Sequence, residues 1–572
     1  MLLKPGWVKI ATIAACLVTG SRTQAGEPDS GSVALQSAPA FGVVTIADLA
    51  MSYDESGAET TATAQRADDG HGDYMGHLYA DEFGWYPPPE HAPWYWEFVE
   101  SFTDAIESSH EPLVAIGEGL FSGEHFHFET DLSDVPLGIV DTPARPDLVF
   151  EYNEQFLKPG PLGEEIVLPS GAVWRPSVWL FGSYRAHAAY RSQENLNFAE
   201  LAHSLNLFAQ ANLTGTERIV LGIRPVDEEI HQPNQKLTRE FNSYDFQNGD
   251  KRDGWNNDIN TLFFEGDFGE LFPHLDVLDQ QQLDYGFTVG RQPLLAQQGL
   301  IINEDMLDAV TVTRNTLSGN GNLNLRMTGV FAWNRVSRHD LAPGGPVFDR
   351  NGRLFALLTE SDFFASTVNA DVVYVETDNN GVGNMVVWGL SGIQRLHGYH
   401  NQYNTSFHIL GSHPTENETS TAGQGELLVS RLSWTPHGGL DVIYLNSFWG
   451  IDQFTSAARG PLQGGPLGDG IGILWAHAGL GRFDTPIFNE VADSAGGALG
   501  YQILLDGTRS QVTFELGGRS DTKQANDGVI AGGFRYQQAC GQHTVWILDA
   551  FIGKQESQRL HDGARVEMLV KF

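Results

Sequence analysis

From about residue 172 to its end the chain alternates apolar and polar side chains in short runs, which Gly, Asn, Asp and Pro turns separate. Such a period of two puts one face of a strand against apolar surroundings and the other against water. Val178, Leu180, Gly182, Tyr184, Ala186, Ala188 and Tyr190 fall on one face, and Trp179, Phe181, Ser183, Arg185, His187, Ala189 and Arg191 on the other. Ile219, Leu221 and Ile223 oppose Arg218 and Arg224; Leu325, Met327, Gly329, Phe331 and Trp333 oppose Asn324, Arg326, Thr328 and Asn334; Val512, Phe514 and Leu516 oppose Gln511, Thr513, Glu515 and Arg519. A sandwich with one wet face shares this pattern. Three features point instead to an all-β, transmembrane antiparallel β-barrel. The runs are near the roughly 9–11 residues a tilted strand needs to cross a bilayer. Aromatic residues sit near their ends. The second face carries fixed charges, as strands lining water do.

The last strand adds a constraint. Counting back from the terminus, Phe572, Val570, Met568, Val566 and Ala564 share one face, and Lys571, Glu567 and Arg565 the other. A barrel closes by pairing its last strand with its first, so that strand must be complete where the chain stops. This ending resembles the C-terminal signature of Gram-negative outer-membrane barrels. The resemblance implies that Val566, Met568, Val570 and Phe572 form an assembly signal read by the barrel assembly machinery. About 400 residues at roughly 22–25 per strand with its turns predict about 16–18 strands, enough to enclose an aqueous channel.

The N-terminus fits such a destination. Lys4 and Lys9 precede an apolar run ending near Gly20, and Thr23 and Ala25 stand before a cut ahead of Gly26, as in a secretory signal over residues 1–25. The Ile13-Ala14-Ala15-Cys16 stretch also has the residue types of a lipidation box, with Cys16 as the modified residue. Residues 26–70 read as a flexible leader. Residues 71–170 read as a partly helical, partly irregular region that hangs in the periplasm or associates with the lumen. Its one clear element is an amphipathic helix over 94–106, with Tyr95, Phe98, Val99, Phe102 and Ile106 on one face. Residues 171–572 form the barrel.

Charge and motifs narrow the function. The formal net charge is −38, and loss of Lys4, Lys9 and Arg22 with the signal takes it to −41. That excludes a nucleic-acid partner, because nothing could neutralise a row of phosphates. No nucleophile elbow, zinc-protease, phosphate-loop or dinucleotide fingerprint occurs, so no enzyme activity and no cofactor is expected. No metal site is assigned. His125 and His127, on one strand face with Glu129, are the candidates, and scattered surface histidines of a periplasmic segment give the same pattern.

Within the barrel, the stretch from Leu283 to Gln292 (LDYGFTVGRQ) precedes a loop and then Leu307 to Val312 (LDAVTV). This resembles the strand–loop–strand of porins, carbohydrate porins and alginate-export barrels, with Ala309 where the pattern has Gly. The resemblance implies a channel in the Gram-negative outer membrane, surrounded by lipid, that passes small polar solutes or saccharides. Alginate or polysaccharide export is the alternative within that class. A secreted acidic all-β carbohydrate-active protein, and a barrel acting as an adhesin or assembly factor, are the alternatives outside it. The pore-lining candidates are Arg185, Arg191, Arg218, Arg224, Arg326, Glu515, Arg519, Arg565 and Glu567. Trp179, Phe181 and Trp475 could stack sugars, or equally serve as girdle and packing residues. The facing of Arg291 and Gln292 stays open. Simple alternation groups Arg291 with Tyr285, Phe287 and Val289, so Arg291 lies beyond the bilayer band, is re-aimed by a bulge at Gly290, or turns inward through a register change.

Overall fold

The computed structural model describes residues 147–572 apart from 157–162, 194–195, 231–237, 248, 276–282, 320–321, 340–346, 364–365, 378–381, 398–401, 416–421, 437–439, 463–469, 506–508, 524–527 and 557–559. The signal, the leader, the 94–106 helix, His125 and His127 lie outside the described residues. Among the described residues, eighteen strands form one closed antiparallel ladder. They are β1 (Ser177–Gln193), β2 (Leu196–Asn212), β3 (Arg218–Ile223), β4 (Ile259–Asp267), β5 (Tyr285–Ala296) and β6 (Ile302–Gly319). Then come β7 (Asn322–Trp333), β8 (Arg353–Asp362), β9 (Ser366–Glu376), β10 (Met385–His397), β11 (Gln402–Pro414) and β12 (Gly425–Thr435). The last six are β13 (Val442–Asp452), β14 (Ser494–Leu505), β15 (Ser510–Asp521), β16 (Val529–Cys540), β17 (Thr544–Gln555) and β18 (Leu560–Lys571). Each pairs with the next, and β18 returns to β1 in a register running from Asp562 opposite Ser192 to Lys571 opposite Ser183. The eighteen strands fall at the top of the range expected from length.

The two ends differ. Where the chain terminus lies, most connections are short: 213–217, 320–321, 363–365, 398–401, 506–509 and 541–543. The exception is 268–284, which opens with helix α1 (Phe268–Leu271), capped by the Asp267 carboxylate accepting from the Gly269 and Glu270 amides. The opposite end carries the longest connections, 224–258, 334–352 and 453–493, beside short ones such as 194–195, 297–301 and 556–559. We call these the turn end and the loop end.

The outer face is apolar. Val289, Val310, Phe331, Phe355 and Tyr374 lie opposite one another in register across β5 to β9. Phe331 packs its ring 5.1 Å from Phe355 and 5.5 Å from Trp333. On the far side of the barrel Leu445, Trp449, Leu499, Leu516, Ile530 and Ile552 are exposed. Such a continuous apolar surface would be a liability in water and suits lipid. On β1 it runs from Val178 to Tyr190, about 30 Å along the axis at ~3.4 Å per residue and a tilt of ~40°.

One charged row bounds this band toward the loop end. Arg291, Asp308, Trp333, Arg353 and Glu376 are cross-strand neighbours. Arg291 holds Asp308 with Nε at 2.8 Å from Oδ1, and Asn334 also donates to Asp308 at 3.0 Å. Arg291 therefore faces outward, as alternation says, and ends the apolar band. The ladder runs unshifted through Gly290, opposite Ala309, and the register shift falls between Gln292 and Leu294. Gln292 faces inward, buried, with its amide donating to the Ala309 carbonyl at 3.2 Å.

At the seam β1 runs past the end of β18 toward the turn end. Phe150–Tyr152 fills that open edge, pairing with residues 178–180. Trp179 donates its indole N–H to the Glu154 carbonyl at 2.8 Å and meets Phe156 edge-on at 5.2 Å. An exposed strand edge is an aggregation hazard, and this segment covers it. Among the described residues no helix is long and apolar enough to cross a membrane.

Candidate functional site

Two segments fold into the lumen. The larger is formed by residues 453–462 and 470–493 of the connection between β13 and β14. Phe454, Leu462, Ile471, Leu474, Trp475, Leu480, Phe483, Ile487 and Val491 within it are buried. Its apolar side chains meet an inner wall stripped of bulk. A Cβ on Gly533 would fall 2.7 Å from the Ala550 carbonyl oxygen and 2.8 Å from Leu474 Cδ2, so a side chain there would meet backbone and press on the loop. Charged wall residues then fix the loop by its backbone. Glu515 accepts from the Ile473 amide at 2.8 Å, from the Leu474 amide at 2.9 Å and from the Tyr444 hydroxyl. Arg519 donates to the Glu490 carbonyl at 3.0 Å, Arg185 to Ala478 at 2.7 Å and Arg191 to Thr485 at 3.1 Å. From the loop itself, Arg482 reaches Glu200 at 3.1 Å and Asp245 at 2.7 Å. Partial burial acts against the Arg482 charge, but these hydrogen bonds outweigh it and hold its pKa above the ordinary arginine value.

The smaller segment is the 297–301 turn between β5 and β6. Gln297 and Gln298 take left-handed conformations, with φ of 52° and 55°. Such strain costs about 1–3 kcal/mol per residue and persists only where the surroundings over-determine it. Here the side chains do so. Gln297 donates to Asp371 at 2.9 Å. The His408 ring lies between both glutamine amides, its nitrogens 3.0 Å from Gln297 Oε1 and 3.1 Å from Gln298 Oε1. Arg431 donates to Gln298 as well. The two inward segments meet where the Ala457 and Ala458 amides donate to the Ile301 carbonyl at 3.0 and 3.2 Å. Arg459 locks the junction to Glu304 at 3.1 Å and Asp305 at 2.7 Å.

The residues singled out from sequence divide among these surroundings. Arg185, Arg191, Glu515, Arg519, Arg565 and Glu567 all point inward and lie under the 453–493 loop. Arg565 bonds Asp549 at 2.9 Å and approaches Glu567 at 2.9 Å; Glu567 takes Arg185 at 2.6 Å; Asp549 also takes Arg535 at 2.6 Å. That is a sign-alternating belt on β16, β17, β18 and β1. Arg218 pairs with Glu265 at 2.8 Å near the turn end, and Arg224 with Asp305 at 3.0 Å near the loop end. Arg326 stands apart: it points into the lumen from β7, and its buried Nε has no hydrogen-bond partner among the described residues. Among the aromatics, Phe181 stacks on Phe208 at 5.5 Å, and Trp475 packs inside the loop against Phe448 at 5.3 Å. Val566, Met568 and Val570 face outward. Asp549, Arg535, Glu200, Arg459, Asp371, His408 and the two glutamines join this candidate site, and spacing alone did not single them out.

This division yields an expected result. Arg326→Ala should lower the anion-to-cation permeability ratio by about 2- to 5-fold, because it removes a lumen-facing cation from opposite the Glu360 carboxylate across the ladder. Arg185→Ala should change it less, since Glu567 keeps Arg565. Reversal potentials under a salt gradient check both, and equal shifts would sink the distinction.

The ladder is closed, apolar outside and charged inside. The chain is an outer-membrane-type β-barrel. No protein-family model and no curated protein matches its sequence. Solved structures similar to it include Pseudomonas aeruginosa OccK11 (OpdR), at 8% identity over 69% of this chain and 96% of that one, TM-score 0.46. Pseudomonas aeruginosa OccK8 (OprE) is similar at 10% identity over 69% and 98%, TM-score 0.46. A BenF-like porin from Pseudomonas fluorescens Pf-5 is similar at 9% identity over 69% and 98%, TM-score 0.46.

Proposed function

We propose that the protein is an outer-membrane channel through which small polar solutes diffuse passively. The observation that carries this reading is the closed eighteen-strand ladder with polar and charged side chains directed inward. Barrels of eight strands fill their interior with side chains, whereas a barrel this wide leaves room for water. The turn end then faces the periplasm and the loop end the exterior. The inward segments narrow the lumen, which favours small solutes over an exported polysaccharide. The paired charges argue the same way, since a polyanion exporter needs a strongly cationic passage. The apolar exterior disfavours a secreted soluble protein.

Purified protein added to a planar bilayer should produce stepwise, ohmic current increments, and in fractionated cells it should sediment with the outer membrane. Folded, heat-modifiable protein that never raises the current above the lipid baseline would defeat the channel reading.

A further inference from the structure

Arg482 does more than fasten the inward loop to the wall. It joins two segments that the ladder alone leaves poorly matched. One is β2. The other is Thr238–Asp245, a strand of the 224–258 connection that lies along the loop-end half of β2 and pairs in turn with Lys251–Arg252. This hairpin holds β2 through four residue pairs, from Glu200 opposite Asp245 to His203 opposite Asn242. Toward the turn end β3 takes its place, from Leu207 opposite Ile223. The first pair of the hairpin sets two carboxylates side by side, Glu200 only 1% exposed and Asp245 2%. Like charges directly opposite on a ladder repel, and burial strengthens the repulsion.

A cation for this pair comes from the loop. Arg482 Nε lies 3.1 Å from Glu200 Oε2 and Nη2 2.7 Å from Asp245 Oδ2, and the Arg482 amide donates to Glu200 Oε1. Its guanidinium rests over the Phe198 ring, 4.9 Å from the centroid. The His187 ring stands 3.6 Å from Glu200 Oε1, and neither of its nitrogens makes a hydrogen bond among the described residues. The approach of the loop depends on Gly481, at a φ of 63°. A Cβ there would run into Glu200 Oε1 and fall 2.6 Å from His187 Nε2.

We infer that the 238–252 hairpin and the inward loop are one switch, coupled through Arg482. With the loop seated, its guanidinium offsets both carboxylates and the hairpin stays on β2. With the loop lifted, Glu200 and Asp245 face each other without that cation, and the hairpin loosens. Coupling between two equilibria is reciprocal. An event at the loop end that peels the hairpin from β2 therefore takes Asp245 away from Arg482 and loosens the loop. The consequence for the pore rests on the channel reading; the coupling itself does not depend on conduction.

The test cuts the hairpin with trypsin at Lys251 and Arg252, both exposed, in the full protein embedded in lipid vesicles. A protease needs the hairpin out of the ladder, so the cleavage rate reports how often it opens. Arg482→Gln should speed cleavage about 10-fold or more. Gly481→Ala, which alters no charge, should speed it about 3-fold or more by lifting the loop. Adding Glu200→Gln to Arg482→Gln removes the repulsion and should bring the rate back to within about 3-fold of the parent. Equal rates in the parent and Arg482→Gln overturn the inference, as does a double variant cut as fast as Arg482→Gln alone. In a planar bilayer, trypsin added on the loop side should make excursions to a larger conductance about 3-fold more frequent, and should not do so when Lys251 and Arg252 are both replaced by Gln. No rise in the parent, or an equal rise in that variant, overturns the link from hairpin to loop. A protein that never conducts defeats the channel reading, and the cleavage rates still decide the coupling.

Discussion

Deleting residues 471–491 and bridging the ends with a short glycine linker is expected to raise single-channel conductance about 3- to 10-fold. That stretch lies against the inner face of β13 to β18, β1 and β2. With it gone, the belt of Arg535, Asp549, Arg565, Glu567 and Arg185 faces water. The ladder does not depend on the loop, because β13 and β14 pair directly from Val442 opposite Gln502 to Trp449 opposite Ala495. The folded barrel should persist, which heat-modifiability checks. A subtler variant separates occlusion from mere presence. Glu515→Ala leaves the Ile473 and Leu474 amides without their acceptor. Each orphaned buried donor costs about 1–3 kcal/mol, enough to make excursions of the loop frequent. That variant should show flickering between the parent level and a larger one, rather than a uniform increase. Unchanged conductance in the deletion would mean that solutes pass along a route the loop never narrows.

How much of this was legible in the sequence depends on which contacts decide each feature. Facing was legible, because a wall strand sees only two environments and its side chains report them in turn. Val178 to Arg191 divide between the two faces on that basis; Arg291, whose facing alternation alone left open, turns outward to Asp308 across the ladder. The inward loop was not legible. Its apolar residues follow no period, and Phe454, Trp475 and Ile487 could equally have belonged to an external loop. What turns it inward is a set of hooks from Glu515, Arg519, Arg185 and Arg191 to loop backbone atoms, and backbone atoms leave no trace in side-chain spacing. Pairing was illegible for a related reason. Arg185 and Glu567 are 382 residues apart and meet only because the first and last strands do. The left-handed Gln297 and Gln298 are held by Asp371, His408 and Arg431 from three other strands, so no local rule names them.

The closing seam should be the most sensitive place in the molecule. Phe572 and Gly182 exchange backbone hydrogen bonds, the Gly182 amide to Phe572 at 2.6 Å and the Phe572 amide to Gly182 at 3.0 Å. The terminal aromatic ring lies over that glycine. A Cβ there would fall 2.4 Å from the Asn206 carbonyl oxygen and 2.9 Å from the Phe572 ring. Gly182→Val therefore drives a branched side chain into backbone on one side and into the terminal ring on the other. Loss of Phe572, the residue that follows β18, leaves the Gly182 N–H and C=O without these partners within an apolar layer, where free backbone groups are costly. Each change is expected to cut the yield of heat-modifiable barrel in cells by about tenfold or more. Lys571→Ala, on the lumen face and exposed, should stay within about 0.5 kcal/mol of the parent. Refolding into lipid vesicles separates the two ways in which Phe572 could act. If closure geometry is the reason, both variants fail in purified lipid as they do in cells. If the terminal residue is read by the assembly machinery, loss of Phe572 fails in cells and refolds in vesicles, while Gly182→Val fails in both. Normal yield of both variants in cells would show that the barrel does not depend on this seam.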